Sequence, residues 1–140
     1  MPKKVKSIAR LANDCAELLQ RLVRIKSSDL NGFSRCVTCG KQDQWTNLQG
    51  GHFIERGRLA TKLVEENIHP QCSGCNMYRM KTASGILDYR LFMTETYGEE
   101  FVMELHRLSR STKKYTRVEL EEMKADLKIR LDEQQERLGA

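Results

Sequence analysis

Nowhere in this 140-residue chain is there an apolar run long enough to span a bilayer, and nothing in it has the make-up of a secretory signal. A membrane role is therefore not expected, and the protein should remain soluble in the cytoplasm where it is made. Aromatic residues are scarce, at 6% against 39% hydrophobic overall. That allows one domain with a small core extended by helices. Internal repeats and low-complexity segments are missing too. Without a secretory context, the five cysteines do not read as a disulfide framework. Histidine is scarce as well, with three in all. One of them, His52, stands in QGGHFIERG (49–57) after two glycines, with no acidic residue beside it.

Charge is present but uneven. The net +5 divides into +5 over residues 1–35, +2 over 36–85 and −2 over 86–140. A basic first half suits a polyanionic partner such as nucleic acid. An ordinary solvated surface fits the same numbers.

The chain divides into three stretches of one domain spanning 1–140: a basic N-terminal helix and linker (1–35), a core (36–85) and a helical C-terminal region (86–140). In residues 7–26, Ile8, Leu11, Cys15, Leu18, Leu22 and Ile25 recur at alternating spacings of three and four, one stripe of a helix. The same spacing is that of a coiled-coil seam, but the stripe is short for one, and packing on the domain is the simpler expectation. Cys15 then counts as a buried apolar residue rather than a reactive thiol. The turn formers of SSDLNGFSR end this helix. From about Ile86 a helix carrying Leu87, Leu91 and Tyr97 runs to Gly98, and a second carries Phe101, Val102, Leu105 and Leu108. A third begins at Thr116, where Glu119 completes a capping box, and turns Leu120, Met123, Leu127 and Leu131 inward.

Residues 36–85 hold four of the five cysteines, six of the nine glycines and two of the three histidines. Cys36 and Cys39 form one C-x-x-C pair, Cys72 and Cys75 another, with thirty-two residues between. A lone pair could be a redox motif. Two pairs suit a closed tetrahedral zinc site, which contributes to folding and leaves no open position for catalysis. Between the pairs, the segment around His52 reads as a short strand and Asn67–Gln71 as another. NMYRMK after Cys75 has helical character, so the order is strand, strand, helix.

Three pieces together, G-H-F (51–53), N-I-H-P-Q-C-S-G-C-N (67–76) and C-V-T-C-G (36–40), resemble the HNH endonucleases with their ββα-metal fold. The likeness is closest to the NinG/Rap family of phage recombination endonucleases, which also carry a helical C-terminal region with a Y-R element like Tyr89–Arg90. It is specific over about residues 36–90. The resemblance implies an α+β, mostly helical fold: a zinc-knuckled ββα-metal core flanked by an N-terminal helix and C-terminal helices. It implies an HNH-type endodeoxyribonuclease in which His52 is the general base, a role suited to a neutral imidazole. Asn67 would hold the hairpin and orient that base, although asparagine also favours plain turns. Asn76 would be a ligand of a catalytic Mg²⁺ or Mn²⁺. Many members of the wider HNH group have an acidic metal ligand immediately before this histidine; here that position is Gly51, and Gln49, Glu55 and His69 are the candidates to replace it. His69 could equally contact DNA or pack, and His106 reads as a surface or packing residue.

Arg56, Arg58 and Lys62 in the loop between the strands, and Arg79 and Lys81 after Asn76, could bind DNA phosphates. Nothing predicts base-specific contacts. Shape or branch recognition is therefore expected, and the resemblance implies branched recombination DNA, a Holliday junction or D-loop, in a host cytoplasm if a phage encodes the chain. A nicking or restriction-type nuclease on duplex DNA is the alternative, and a non-catalytic zinc-dependent DNA-binding module is the alternative of another class. Two cuts at a junction make a homodimer attractive, with the Ile8–Ile25 stripe as one interface.

Overall fold

The computed structural model describes residues 5–139; Lys3 and Lys4, which add to the basic count of the N-terminal stretch, lie outside them. Helix α1 (Ile8–Lys26) leads into a small antiparallel hairpin of β1 (Phe33–Arg35) and β2 (Gln42–Gln44). β3 (Gln49–His52) follows, then a loop containing the single turn α2 (Leu59–Lys62). β4 (Ile68–Gln71) pairs antiparallel with β3, so that Gly51 faces His69 and His52 faces Ile68. Helices α3 (Ser73–Met77), α4 (Ala83–Tyr97), α5 (Glu99–Ser109) and α6 (Arg117–Arg137) complete an α+β, mostly helical fold. Among the described residues no helix is long and apolar enough to cross a membrane.

Ser7 caps α1 through its hydroxyl, which accepts from the Arg10 N–H. Leu11, Cys15, Leu22 and Ile25 of the expected stripe are buried, but so are Ala12, Ala16, Leu19 and Val23, while Ile8 is exposed. Burial spreads around α1 because it is covered twice, by α6 on one side and by the β3–β4 hairpin on the other. Helices α1 and α6 run parallel. Arg117 donates to the Lys6 carbonyl at their starts, and Arg137 donates to the Ile25 carbonyl at their ends. Leu120, Leu127 and Leu131 are buried and Met123 partly so, each full burial contributing roughly 1.5–3 kcal/mol. Most of the α1 stripe is therefore packed inside the chain, against α6 and the hairpin. Cys15 is fully buried, its thiol against the Leu120 carbonyl.

The capping box of α6 forms as expected, with reciprocal bonds between Thr116 and Glu119. Helix α4 starts three residues before Ile86, because Thr82 caps it by accepting from the Gly85 N–H. Its inward face is Tyr89 and Met93, with Phe92 and Tyr97 half in; Leu87 and Leu91 point out. This face joins Phe53 and Ile54, just past β3, with Val102 and Leu105 of α5 in a second apolar cluster. His106 packs edge-on against Phe53. The strand pair thus lies between two cores, each of which holds one side of it.

The two glycines before His52 have different uses. A Cβ on Gly50 would stand 2.7 Å from the Cα of Gln20, so its absence lets α1 cross directly over β3. A Cβ on Gly51 would stand 1.6 Å from Oε1 of Gln71, a side chain with no exposure at all. Substitution Gly51→Asp, which puts an acid before His52, should therefore cost about 1–3 kcal/mol in urea unfolding as the packed core is forced apart. Adding Gln71→Ala should recover much of the loss. A Gly51→Asp protein as stable as the parent would refute this account of the missing acid.

Candidate functional site

The four cysteines converge. Their sulfur atoms all lie within 4.8 Å of one another, and Cys39 Sγ and Cys72 Sγ are 3.8 Å apart. That is too long for a disulfide. It matches the edge of a tetrahedron with metal–sulfur bonds of about 2.3 Å, so the four cysteines could hold a zinc ion. The positive φ of Gly40 closes the first knuckle, and Cys72 opens α3 as its cap. Although burial opposes ionisation at Cys36, backbone contacts from Cys39, Cys72 and Thr38 outweigh it and bring the thiol down to about 7. Arg79, expected to reach DNA, is instead bound to Asp88 and turned toward Cys75 Sγ at 3.9 Å. A cation beside a thiolate supports a metal cluster from outside.

His52 ends β3, and only 8% of it is exposed. Its Nε2 lies 2.9 Å from the Lys62 carbonyl oxygen. A carbonyl only accepts, so Nε2 carries the proton. Nδ1 is then the bare nitrogen, and it is buried with no hydrogen-bond partner. Burial lowers the imidazole pKa from 6.5 to about 4, against the raising effect of the Lys62 carbonyl and with a further lowering from the Arg56 and Lys62 charges. At neutral pH the ring is therefore an uncharged base with a committed tautomer and a free lone pair.

Asn67 fixes the loop that supplies this carbonyl. Its side chain is fully buried; Oδ1 accepts from the Ile54 N–H, and Nδ2 donates to the carbonyls of Ile54 and Thr61. Thr61 precedes Lys62, so Asn67 ties the His52 partner to the turn after His52.

His52 lines a cavity of about 480 Å³ together with Gln49, Gly50, Glu55, Arg56, Asn76 and Met80. Asn76 Nδ2 donates to Gln49 Oε1 at 2.8 Å, which leaves Asn76 Oδ1 uncommitted. These amides and Glu55 are hard oxygen donors of the type that suits Mg²⁺ or Mn²⁺. The opposite wall is Gln20, Arg24 and Leu48. Arg24 was outside the sequence-based candidates, because no motif marks it and only the crossing of α1 over Gly50 brings it here. Of the basic candidates, Arg56 reaches the cavity wall. Arg58 pairs at 3.9 Å with Glu55, Lys62 reaches Asn13, and Lys81 is exposed.

His69 does not join this cavity. Nδ1 lies 3.1 Å from Tyr89 Oη and Nε2 2.8 Å from Tyr97 Oη, with Phe92 edge-on. As a replacement metal ligand it is excluded by these partners. The direction of the bonds can be worked out. Tyr89 donates its proton to the Gly51 carbonyl at 2.7 Å, so it must accept from His69 Nδ1, and Nε2 must accept from Tyr97. One chain of hydrogen bonds thus runs from Tyr97 through His69 and Tyr89 to the backbone just before His52. Removing the fully buried hydroxyl with Tyr89→Phe should cost about 1–3 kcal/mol in urea unfolding, since the Gly51 carbonyl and His69 lose their partner together. A cost below about 0.5 kcal/mol would mean that water replaces the hydroxyl.

The family model described as Bacteriophage Lambda NinG protein matches residues 2–136. No curated protein and no solved structure is found to match the chain.

Proposed function

Because the chain belongs to the Bacteriophage Lambda NinG protein family, we propose that it is a metal-dependent endonuclease that hydrolyses phosphodiester bonds of DNA at branched recombination intermediates. The observation that carries this is the buried, partnerless Nδ1 of His52, a residue that lines a cavity together with the uncommitted amide oxygen of Asn76 and the guanidinium groups of Arg24 and Arg56. A structural histidine has both ring nitrogens satisfied, as His69 has. His52 has one nitrogen satisfied and the other free.

In the proposed reaction, His52 Nδ1 takes a proton from a water molecule admitted to the cavity. The water oxygen bonds to phosphorus, the phosphorus–oxygen bond to the leaving sugar breaks, and the departing oxygen takes a proton from solvent. The Lys62 carbonyl keeps Nε2 protonated throughout, so Nδ1 always presents its lone pair. Asn76, with Gln49 and Glu55, is where a Mg²⁺ or Mn²⁺ ion would be held. Bound there, it would supply positive charge to the phosphate and the departing oxygen. Zinc on the four cysteines would fix α3, and with it Asn76, against β3.

One observation favours a non-catalytic zinc-dependent DNA-binding module instead: Gln71 fills the place of the acid at Gly51. Four-way junction, flap and linear duplex DNA, each incubated with and without Mg²⁺ or Mn²⁺, separate the possibilities. Cation-dependent cutting confined to branched DNA is the expected result. Equal cutting of linear duplex would give the nicking or restriction-type enzyme, and binding without cutting under every cation would leave the binding module. Two opposed cuts would call for two copies, whose contact must lie elsewhere than the packed part of the α1 stripe. Sedimentation of the protein as a monomer on junction DNA would remove the homodimer.

A further inference from the structure

Two cations line the cavity, Arg24 and Arg56, and among the described residues neither has a carboxylate partner; Arg24 is the one held in place. Arg24 lies in the last turn of α1, where its Nε–H donates to the Gln20 carbonyl at 3.0 Å and Nη1 donates to the Leu48 carbonyl at 2.9 Å. Its guanidinium carbon stands 5.6 Å from the centre of the Trp45 ring. Among the described residues no carboxylate pairs with it, although Asp14, Glu55, Glu65, Asp88, Glu99 and Glu104 all take basic partners elsewhere. Burial, and secondarily the Arg21 charge, lower its pKa, which is the mark of a cation short of an anion. Both N–H groups of Nη2 are without a partner, and the residue lines the same cavity as His52 and Asn76.

An arginine held by two main-chain carbonyls and an indole face cannot swing away. Its guanidinium plane is therefore preset, with the free N–H groups of Nη2 left to donate to a phosphate oxygen. We propose that Arg24 is a phosphate-binding group of the cavity, donating from Nη2 to a nonbridging oxygen of a DNA phosphodiester on the α1 side, with His52 on the β3 side. This rests on the nuclease reading and adds to it the element that seats the strand. The N-terminal helix is then one wall of the site rather than an appendage to it.

The test uses the zinc-loaded full chain carrying His52→Ala, so that no strand is cut. Fluorescein-labelled four-way junction DNA is titrated over a series of KCl concentrations, with and without Arg24→Gln. Loss of one phosphate contact should weaken binding about tenfold and reduce the slope of log K against log salt by about one. Arg24→Lys should restore the slope but only part of the affinity, since it keeps the charge and loses the preset guanidinium plane. Equal affinities and slopes for arginine and glutamine would overturn the proposal. Should Arg24→Gln lose zinc or melt early, the unmodified protein decides. The Arg24 Nε–H resonance is followed by NMR as inorganic phosphate is added. A shift that saturates with phosphate and not with chloride supports the site, and an unmoved resonance overturns it. A protein that cuts no DNA yet shows the Arg24-dependent slope keeps the phosphate site and loses the nuclease activity. One that cuts DNA with a slope indifferent to Arg24 loses this proposal alone.

Discussion

Replacing His52 by alanine is expected to slow DNA hydrolysis by about 10²- to 10⁴-fold, the usual contribution of a positioned general base. DNA affinity and zinc content should stay as they are. The measurement is single-turnover cleavage of the preferred substrate at saturating Mg²⁺, with binding followed in parallel. The change is not silent structurally, since the Lys62 carbonyl loses its donor and about 1–3 kcal/mol with it, so the comparison belongs well below the melting temperature. The pH profile gives the sign independently. A base works only when unprotonated, so a pKa lowered from 6.5 to about 4 moves the acid limb of the rate downward. Cleavage should be nearly flat from neutrality to about pH 5. A limb near the ordinary histidine value would mean that Nδ1 is far better solvated than its burial implies, and cleavage unaffected by His52→Ala would end its assignment as the base.

The other large effect is expected at the cysteine cluster. Structural zinc contributes apparent binding energies of about 10–16 kcal/mol in small domains, as much as the whole net stability of a typical fold. Cys72→Ser removes one sulfur from the cluster, at the position that opens α3, the helix that carries Asn76. The expected outcome is loss of bound zinc, a melting temperature lower by at least ~10 °C, and no cleavage. Treatment with a strong chelator should give the same state, reversed by adding zinc. Elemental analysis finding no zinc in active protein would remove the metal from the fold, and a Cys72→Ser protein with full stability would remove the cysteine.

What could be read from the residues was what depends on short spacing. The C-x-x-C pairs, the Thr116–Glu119 box, the caps and the strand around His52 are each written within a few positions, and the four cysteines come together as their spacing suggests. The Leu87 and Leu91 pair shows where that approach stops. Nothing local says that the aromatic side of α4, rather than its leucines, meets Phe53. Strands β1 and β2 were not foreseen because FSR and QDQ carry no strong strand pattern, and only the cysteine knuckle between them brings the two together. The cavity wall depended on distant pairings. Arg24 enters because Gly50 admits α1, and Gly51 lacks an acid because Gln71, twenty residues on, takes the space. His69 shared a motif with Asn67 and so looked like a ligand. Its two tyrosines, on a helix the motif does not include, give it a different task.

The parallel seam between α1 and α6 has a consequence in time. Cys15 meets the Leu120 carbonyl across 105 positions of sequence, and Arg137 meets Ile25 across 112. A ribosome delivers α1 first and α6 last, and domains take shape in the order their parts emerge. While the cysteine knuckles and the His52 strand are already outside the tunnel, the apolar side of α1 waits for its cover. Arg24 does not wait with it, because its partners Gln20, Trp45 and Leu48 all emerge early.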